Sequence, residues 1–280
     1  MTLTPILDHA VINVDDQLDS VYSLFCRMGF QLSARGHHSM GSSNHLAIFG
    51  ENYLELLGYE PSKAQTERGL WRAPLGLAGL VWKTSDAQAT YQSLQTLRLA
   101  GAPPTSFSRP VTLPDGEATV AEFCITRLTD DAIPNGFSFF CQHITPDAVW
   151  QARWQQHPNS VLDLTDFVIM ADKPAHAALV YARLFGEDIS SSEQNNFLLQ
   201  AGSACLRIIT PEQATAEFGD VSGCDNGKPR MIALSFKVES LDRLEDCLIT
   251  GRICYEKRAR QIVIPPADAF HIALSFHEVR

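Results

Sequence analysis

Leu7-Asp8-His9-Ala10-Val11-Ile12-Asn13-Val14-Asp15-Asp16 opens as a strand carrying one inward histidine, and Tyr53-Leu54-Glu55-Leu56-Leu57 is a second strand carrying one inward glutamate. Both have the length and composition of buried strands. Between them, Val21, Leu24, Phe25 and Met28 recur at helical spacing from Asp16 onward, and Gly29 follows as a stop. Strands are expected at 30–34, 46–49 and 53–59, which makes the opening a β-α-β-β-β unit.

The pattern recurs along the chain. A second unit runs from Leu77 through a helix carrying Tyr91, Leu94 and Leu97 to Phe137-Ser138-Phe139-Phe140-Cys141, with middle strands at 107–113 and 119–128. Leu164-Thr165-Asp166-Phe167-Val168-Ile169-Met170 restates the opening, and the same offset carries Gly29 onto Gly186. A fourth unit runs from Ile232 through a helix with Leu241, Leu244 and Leu248 to the strand ending at Phe276. The expected fold is therefore α+β: four β-α-β-β-β units forming two incomplete eight-stranded, cup-like domains. Expected boundaries are 1–145, a connecting segment at 146–161, and 162–280. In the connector, Trp150 and Trp154 are four residues apart, so a short helix packing its indoles between domains is expected.

Composition narrows the function classes. The 280 residues are 45% apolar, a globular value, and no apolar run approaches bilayer-spanning length. The first residues lack a basic region followed by an apolar core, so no secretory signal is read and the cytoplasm is the expected location. Net charge is −10 with scattered basic residues, which argues against nucleic acid and anionic membranes and leaves a small molecule as the expected partner. A monomer or homodimer is expected. The seven cysteines show no CxxC spacing, so neither a disulfide framework nor a zinc ribbon is supported. No GxGxxG, Walker or GxSxG element is present, and no nucleotide cofactor is expected.

Paired units that open as Leu7-Asp8-His9 and close as Tyr53-Leu54-Glu55-Leu56, with Gly29-Phe30 and Asn44-His45 between, resemble the vicinal-oxygen-chelate superfamily, and within it the glyoxalase-like-domain branch. That superfamily includes glyoxalase, bleomycin-resistance and extradiol-dioxygenase folds. The resemblance is strong to about residue 160 and weak beyond it. It implies a cup holding one divalent metal on His, Glu or Gln from the first and last strands of each unit. His9 and Glu55 match these positions in the first unit. Strand alternation puts His9 on the face of Leu7 and Val11, and Glu55 on that of Tyr53 and Leu57. Imidazole and carboxylate donors on rigid strands suit a metal that polarises a substrate oxygen.

The second unit departs from that pattern. Gly79 stands where a histidine is expected, and Phe140, or Ser138 if the alignment slips by two, where a carboxylate is expected. Gln142 or His45 is a candidate third ligand. The alternative is a metal-free cup in which His9 and Glu55 bond each other or an organic ligand. Asp166 and Arg207 take the corresponding places in the third unit and read as an ion pair or, alternatively, as a grip on a ligand carboxylate, with Ala233 and Leu274 in the fourth. The C-terminal half therefore reads as support for the first cup.

The polar stretch from Arg35 to His45 reads as a loop, and Arg35, His38, Asn44 and His45, together with Gln142, are candidate substrate contacts. His143 reads as a hydrogen-bonding group at a strand end, and Cys141 as an inert thiol. The expected function is that of a glyoxalase-like small-molecule enzyme of lyase, isomerase or dioxygenase type. Its metal would sit on His9 and Glu55, or Glu55 would act as the catalytic base. The rival is a non-catalytic small-molecule binding protein of the same fold.

Overall fold

A computed structural model describes residues 3–59, 72–186, 196–221 and 226–279. The first half contains β1 (Leu7–Asp15), α1 (Leu18–Arg27), β2 (Gly36–His37), β3 (Ser42–Ile48), β4 (Tyr53–Tyr59), β5 (Gly76–Lys83), α2 (Ala87–Thr96), β6 (Thr105–Thr112), β7 (Ala118–Arg127) and β8 (Phe137–His143). These strands form one eight-stranded sheet in the order β2-β3-β4-β1-β5-β8-β7-β6. β1 and β5 are antiparallel at its centre, and each is flanked by the last strand of its own unit in parallel. The sheet curls until its ends meet: Ser39 N–H donates to Ser108 O at 2.9 Å, and Ser108 N–H to Ser39 Oγ at 3.3 Å. The cup is nearly closed.

The expected strand at 30–34 does not form. The short β2 lies instead at Gly36–His37, inside the stretch read as a loop, and β3 begins at Ser42 rather than at residue 46. Polar side chains hid these strands, because Ser42 and Asn44 face the cup and not an apolar core.

The second half contains β9 (Val161–Met170), α3 (Pro174–Phe185), β10 (Phe197–Ala201), β11 (Ala204–Ile209), α4 (Pro211–Phe218), β12 (Arg230–Val238), α5 (Leu241–Gly251), β13 (Glu256–Arg258), β14 (Gln261–Ile264) and β15 (Ala273–Glu278). Among the described residues its sheet has seven strands, not eight, in the order β10-β11-β9-β12-β15-β14-β13. α4 was absent from the sequence reading. It begins with a capping box between Thr210 and Gln213 and carries Pro211 in its first turn. Its Ala214 and Phe218 pack among Val168, Ile209, Ile232, Ala233 and Ala273, so this concave face is filled by the chain itself. Arg207 grips Glu217 of α4 through two 2.7 Å bonds, while Asp166 stands 4.0 Å away. The expected Asp166–Arg207 pair is thus the looser of the two contacts.

The outer faces of both sheets share one core with the helices. Ala10, Ile12 and Val14 of β1 meet Leu18, Val21 and Phe25 of α1, and the same cluster takes in Phe167, Phe236 and Phe276 from the second half. Each large apolar side chain removed from water here contributes about 1.5–3 kcal/mol. Phe30 and Phe49 meet Phe236 at ring separations of 5.6 and 5.5 Å. Trp150 and Trp154, expected between domains, pack instead on the first cup's inner cluster, Trp150 just before and Trp154 within a short turn of 3₁₀ helix at Ala152–Gln155. Gln155 and His157 hydrogen-bond the carbonyls of Phe49 and Ile48, which laces the connector to the first sheet.

Helices α1 and α5 approach closely at one glycine. A Cβ on Gly251 would lie 2.1 Å from the Arg27 carbonyl oxygen, and Arg27 Nη1 donates to Gly251 O at 3.0 Å. Backbone cannot yield as a side chain can. Gly251→Ala should therefore lower unfolding stability by about 1–3 kcal/mol in urea titration; an unchanged midpoint would show that the two helices separate freely.

Candidate active site

The strand β1 carries a bulge where its register against β5 shifts between Leu7 and His9. Leu7 consequently packs in the shared core while Val11 faces the cup, so Leu7 does not share a face with His9 as simple alternation implies. The bulged residue is Asp8. Its carboxylate is fully buried, and Oδ2 accepts from His9 Nδ1 at 2.7 Å and from His143 Nε2 at 3.0 Å. Burial alone pushes the Asp8 carboxyl up, but the combined charge and hydrogen bonds of His143 and His9 outweigh it and hold the group well below the usual carboxylate range.

With Nδ1 committed to Asp8, His9 presents Nε2 to the cavity, 3.5 Å from Glu55 Oε2. The ring stacks on Tyr53 at 4.3 Å and meets the Phe139 edge at 5.8 Å. Glu55 Oε1 accepts from Asn44 Nδ2 at 2.6 Å. Asn44 Nδ2 also lies 3.2 Å from His38 Nε2, and His38 Nδ1 lies 2.7 Å from Ser42 Oγ. One polar chain therefore runs His143–Asp8–His9–Glu55–Asn44–His38–Ser42 across a wall otherwise built from Leu46, Leu57, Phe107, Phe123 and Phe139. The cavity opens to solvent through its mouth.

The structure thus brings His9, Glu55, Asn44 and His38 together. It separates the other sequence candidates from them. His45 points to the outer face, where Nδ1 bonds Ser33 O at 2.8 Å and the ring lies 4.3 Å from that of Tyr22 on α1. Gln142 also turns outward, because Oε1 accepts from Ala87 N–H at 3.0 Å and satisfies an otherwise unpaired donor at the start of α2. Arg35 bonds Asp19 of α1 at 2.6 Å. Phe140 packs in the shared core, and Ser138 bonds Trp82 Nε1 and Leu80 O; the cup-facing side of β8 carries Phe137, Phe139, Cys141 and His143 instead. The ring of Phe137 covers Gly79, where a Cβ would fall 2.5 Å from Phe137 Cε2 and 2.7 Å from Val11 Cβ.

Three groups escaped the sequence reading. Strand alternation assigns Asp8 no role, although an acid directly preceding the strand histidine is the available signal. Tyr53 was seen only as an apolar neighbour; burial, and next the charge of Asp8, push its hydroxyl well above the ordinary range. Arg109 lies on the inward positions of β6 with Phe107 and Val111, and is only 4% exposed. Burial lowers the Arg109 pKa, with Tyr53 and Glu55 opposing the shift, yet a guanidinium stays charged.

His9 Nε2 and Glu55 Oε2 offer a metal two donors, and Asp8 behind the imidazole is the orienting carboxylate such sites employ. No third donor joins them among the described residues, because Gly79 and the Phe137 ring occupy the opposite wall. Asp8, Cys141 and His143 form a second group whose donor atoms lie within 4.8 Å of one another and could hold a metal ion. There, burial and the charges of Asp8 and Glu55 keep the Cys141 thiol well above its ordinary range, which favours the protonated, poorly ligating form.

The model of the Glyoxalase-like domain family matches residues 7–185. No curated protein sequence matches the chain. Among solved structures, a hypothetical protein from Staphylococcus aureus superposes with a TM-score of 0.67 at 15% identity, covering 98% of this chain and 99% of that one. A mutant of 4-hydroxymandelate synthase from Streptomyces coelicolor superposes at 0.59 and 13% identity, over 99% and 93% of the two chains. A xylose isomerase-like TIM barrel/4-hydroxyphenylpyruvate dioxygenase fusion protein gives 0.57 at 12%, over 99% of this chain and 49% of that one. At these identities the likeness is one of fold.

Burial drives the pKa of His38 down to about 4, opposed by Glu55 and assisted by Arg109. An unfolded chain restores an ordinary value near 6.5, so as pH falls below about 6.5 the unfolded state binds the proton first and stability drops until pH reaches about 4. Burial lowers His45 and His157 in the same direction. Thermal unfolding across pH 4–7.5 should show this decline, and His38→Gln should flatten it by about 1–2 kcal/mol with little change at pH 7.5. An equal slope in both proteins would contradict the burial of a neutral imidazole.

Proposed function

The chain belongs to the glyoxalase-like domain family, and on that premise we propose that its first cup is the active site of a small-molecule enzyme whose Glu55–His9 pair moves a proton on a compact carbonyl or oxygenated substrate. The fold and family support an enzyme or binder of the vicinal-oxygen-chelate superfamily. The order Asp8–His9–Glu55, a 2.7 Å hydrogen bond followed by a 3.5 Å contact, carries the catalytic reading.

Asp8 fixes which nitrogen of His9 bears the proton, so Nε2 faces Glu55 as an acceptor. Asn44 pins Glu55 Oε1 and leaves Oε2 directed at the cavity and at His9. A proton taken from the substrate by Glu55 Oε2 has His9 Nε2 within 3.5 Å, and the resulting imidazolium is stabilised by the Asp8 carboxylate. Tyr53, Phe107, Phe123 and Phe139 keep water from these groups and strengthen their interactions. A divalent metal, when bound, would be held by His9 Nε2 and Glu55 Oε2 and would supply electrophilic activation of a substrate oxygen. Lyase, isomerase and dioxygenase chemistry all use such activation. The names of the two enzymes of like fold, a mandelate synthase and a phenylpyruvate dioxygenase, support a compact oxygenated substrate. The described cysteines are all free, which supports a place in the reducing cytoplasm. No described helix is long and apolar enough to cross a membrane.

One observation favours the rival reading of a sequestering protein: Phe137 fills the place of the missing ligand at Gly79, which gives the cup an aromatic wall where chemistry is expected. Turnover separates the two. Proton–deuterium exchange of a panel of small carbonyl compounds, followed by ¹H NMR in D₂O, should reveal a substrate whose exchange falls about 10²–10⁴-fold in Glu55→Gln and substantially in His9→Ala. Exchange unaffected by Glu55→Gln would remove the base; binding with no exchange would establish the sequestering reading.

The two metal groupings are equally separable. Zn²⁺ or Mn²⁺ added to chelator-treated protein should raise the melting temperature of wild type and of Cys141→Ser, and should lose that effect in His9→Ala and Glu55→Ala. Loss in Cys141→Ser alone would move the metal to Asp8, Cys141 and His143.

A further inference from the structure

Arg109 is a buried cation in the cup that the proton-transfer scheme leaves unused. It is 4% exposed, and among the described residues its guanidinium makes no hydrogen bond and no ion pair. Elsewhere the chain pairs its half-buried guanidinium groups with care: Arg207 has Glu217 in a two-bond fork, and Arg258 has Glu256. The nearest carboxylate on the wall, Glu55, is already engaged by Asn44 and by the His9 contact. A buried charge without a hydrogen-bonded counter-charge is unfavourable, and Arg109 feels Glu55 only across a gap, so a paired state is the favourable one for it.

The chain makes room for this group. Gly36 of β2 faces β6, and a Cβ there would lie 2.9 Å from Arg109 Cδ, 3.2 Å from Nη1 and 2.4 Å from Asn44 Oδ1. Only a residue without a side chain lets Arg109 and Asn44 lie side by side. Asn44 Oδ1 is itself buried and without a partner, so two polar groups flanking one glycine are both unfinished. Around them the wall is apolar: Phe107 and Phe123 stack at 5.1 Å, and Phe139 stands opposite His9.

We infer that the cup's ligand is a compact organic acid with an apolar body, whose carboxylate is taken by Arg109 while its body lies among the phenylalanine rings near Glu55 and His9. This rests on the reading of the first cup as a small-molecule site and specifies the substrate class for it. A carboxylate matches the planar guanidinium fork in two parallel hydrogen bonds and supplies the missing charge. A protonated acid or a second donor could also satisfy Asn44 Oδ1. Arg109 acts here as a binding and positioning residue, not as a proton carrier.

Benzoate, phenylacetate and hexanoate, each compared with its own primary amide, test the assignment by calorimetry or ligand-observed NMR on the full chain. At least one acid should bind wild type about tenfold or more tighter than its amide, and Arg109→Gln should abolish that preference while leaving amide binding unchanged; Arg109→Lys should keep part of it. Arg109→Met should fold with an unchanged or higher melting temperature, because it removes an unpaired buried charge. Acids bound no better than amides, no binding of any acid, a preference that survives Arg109→Gln, or a large loss of stability in Arg109→Met would each overturn the assignment. Glu55→Gln should bind the acid at least as tightly as wild type. Acid binding that persists where proton exchange is missing therefore separates failure of the catalytic reading from failure of this one.

Discussion

The arrangement depends on one buried anion. Asp8 lies at a bulge with no exposure to solvent, and its Oδ2 is held between the imidazoles of His9 and His143. Without those two donors a carboxylate at this depth would cost several kcal/mol. With them it sets the His9 tautomer, aims Nε2 at Glu55 and ties β1 to the end of β8. His143 is braced in turn by Trp150, at a ring separation of 4.6 Å, which places the connector's indole under the same network. The bulge matters as much as the charge. Regular alternation would send Asp8 into the shared core, where no donor awaits it.

Much of the architecture was legible because apolar periodicity reports burial. β4 falls at Tyr53–Tyr59 as read, and α1, α2, β5 and β8 lie within a few residues of their expected limits. His9 and Glu55 were legible for the same reason, since each is a polar residue set among apolar strand neighbours. β2 and β3 were obscured because their inward residues are functional and polar. α4 was obscured because a helix filling a concave face needs only two apolar contacts, Ala214 and Phe218, and shows a weak stripe.

The misplaced candidates share one cause. Position within a loop or strand end does not tell which face a side chain takes, and the deciding contacts come from elsewhere in the chain. Gln142 turns outward to complete the start of α2, and His45 turns outward to Ser33 and Tyr22. Asn44, next to His45, therefore faces the cup, where it holds Glu55. Arg109 was hidden because an arginine in a strand is ordinarily solvated, and only the meeting of β6 with β2 puts it under cover.

The two concave faces of this molecule serve as controls for each other. In the second, α4 enters the hollow, Phe218 and Ala214 fill it, and Arg207 closes a two-bond pair with Glu217. The chain can therefore finish a cup by its own means. In the first it keeps an open hollow, a neutral buried histidine at His38, an unpaired Asn44 oxygen and a buried guanidinium without an ion pair. Each of these lowers stability, and each could be relieved by an apolar side chain of similar size. Folding alone does not account for such a surface, because the neighbouring half shows the more stable solution to the same geometry. What the first cup lacks is a partner with an anionic group and an apolar body, and the groups left unfinished describe that partner's shape.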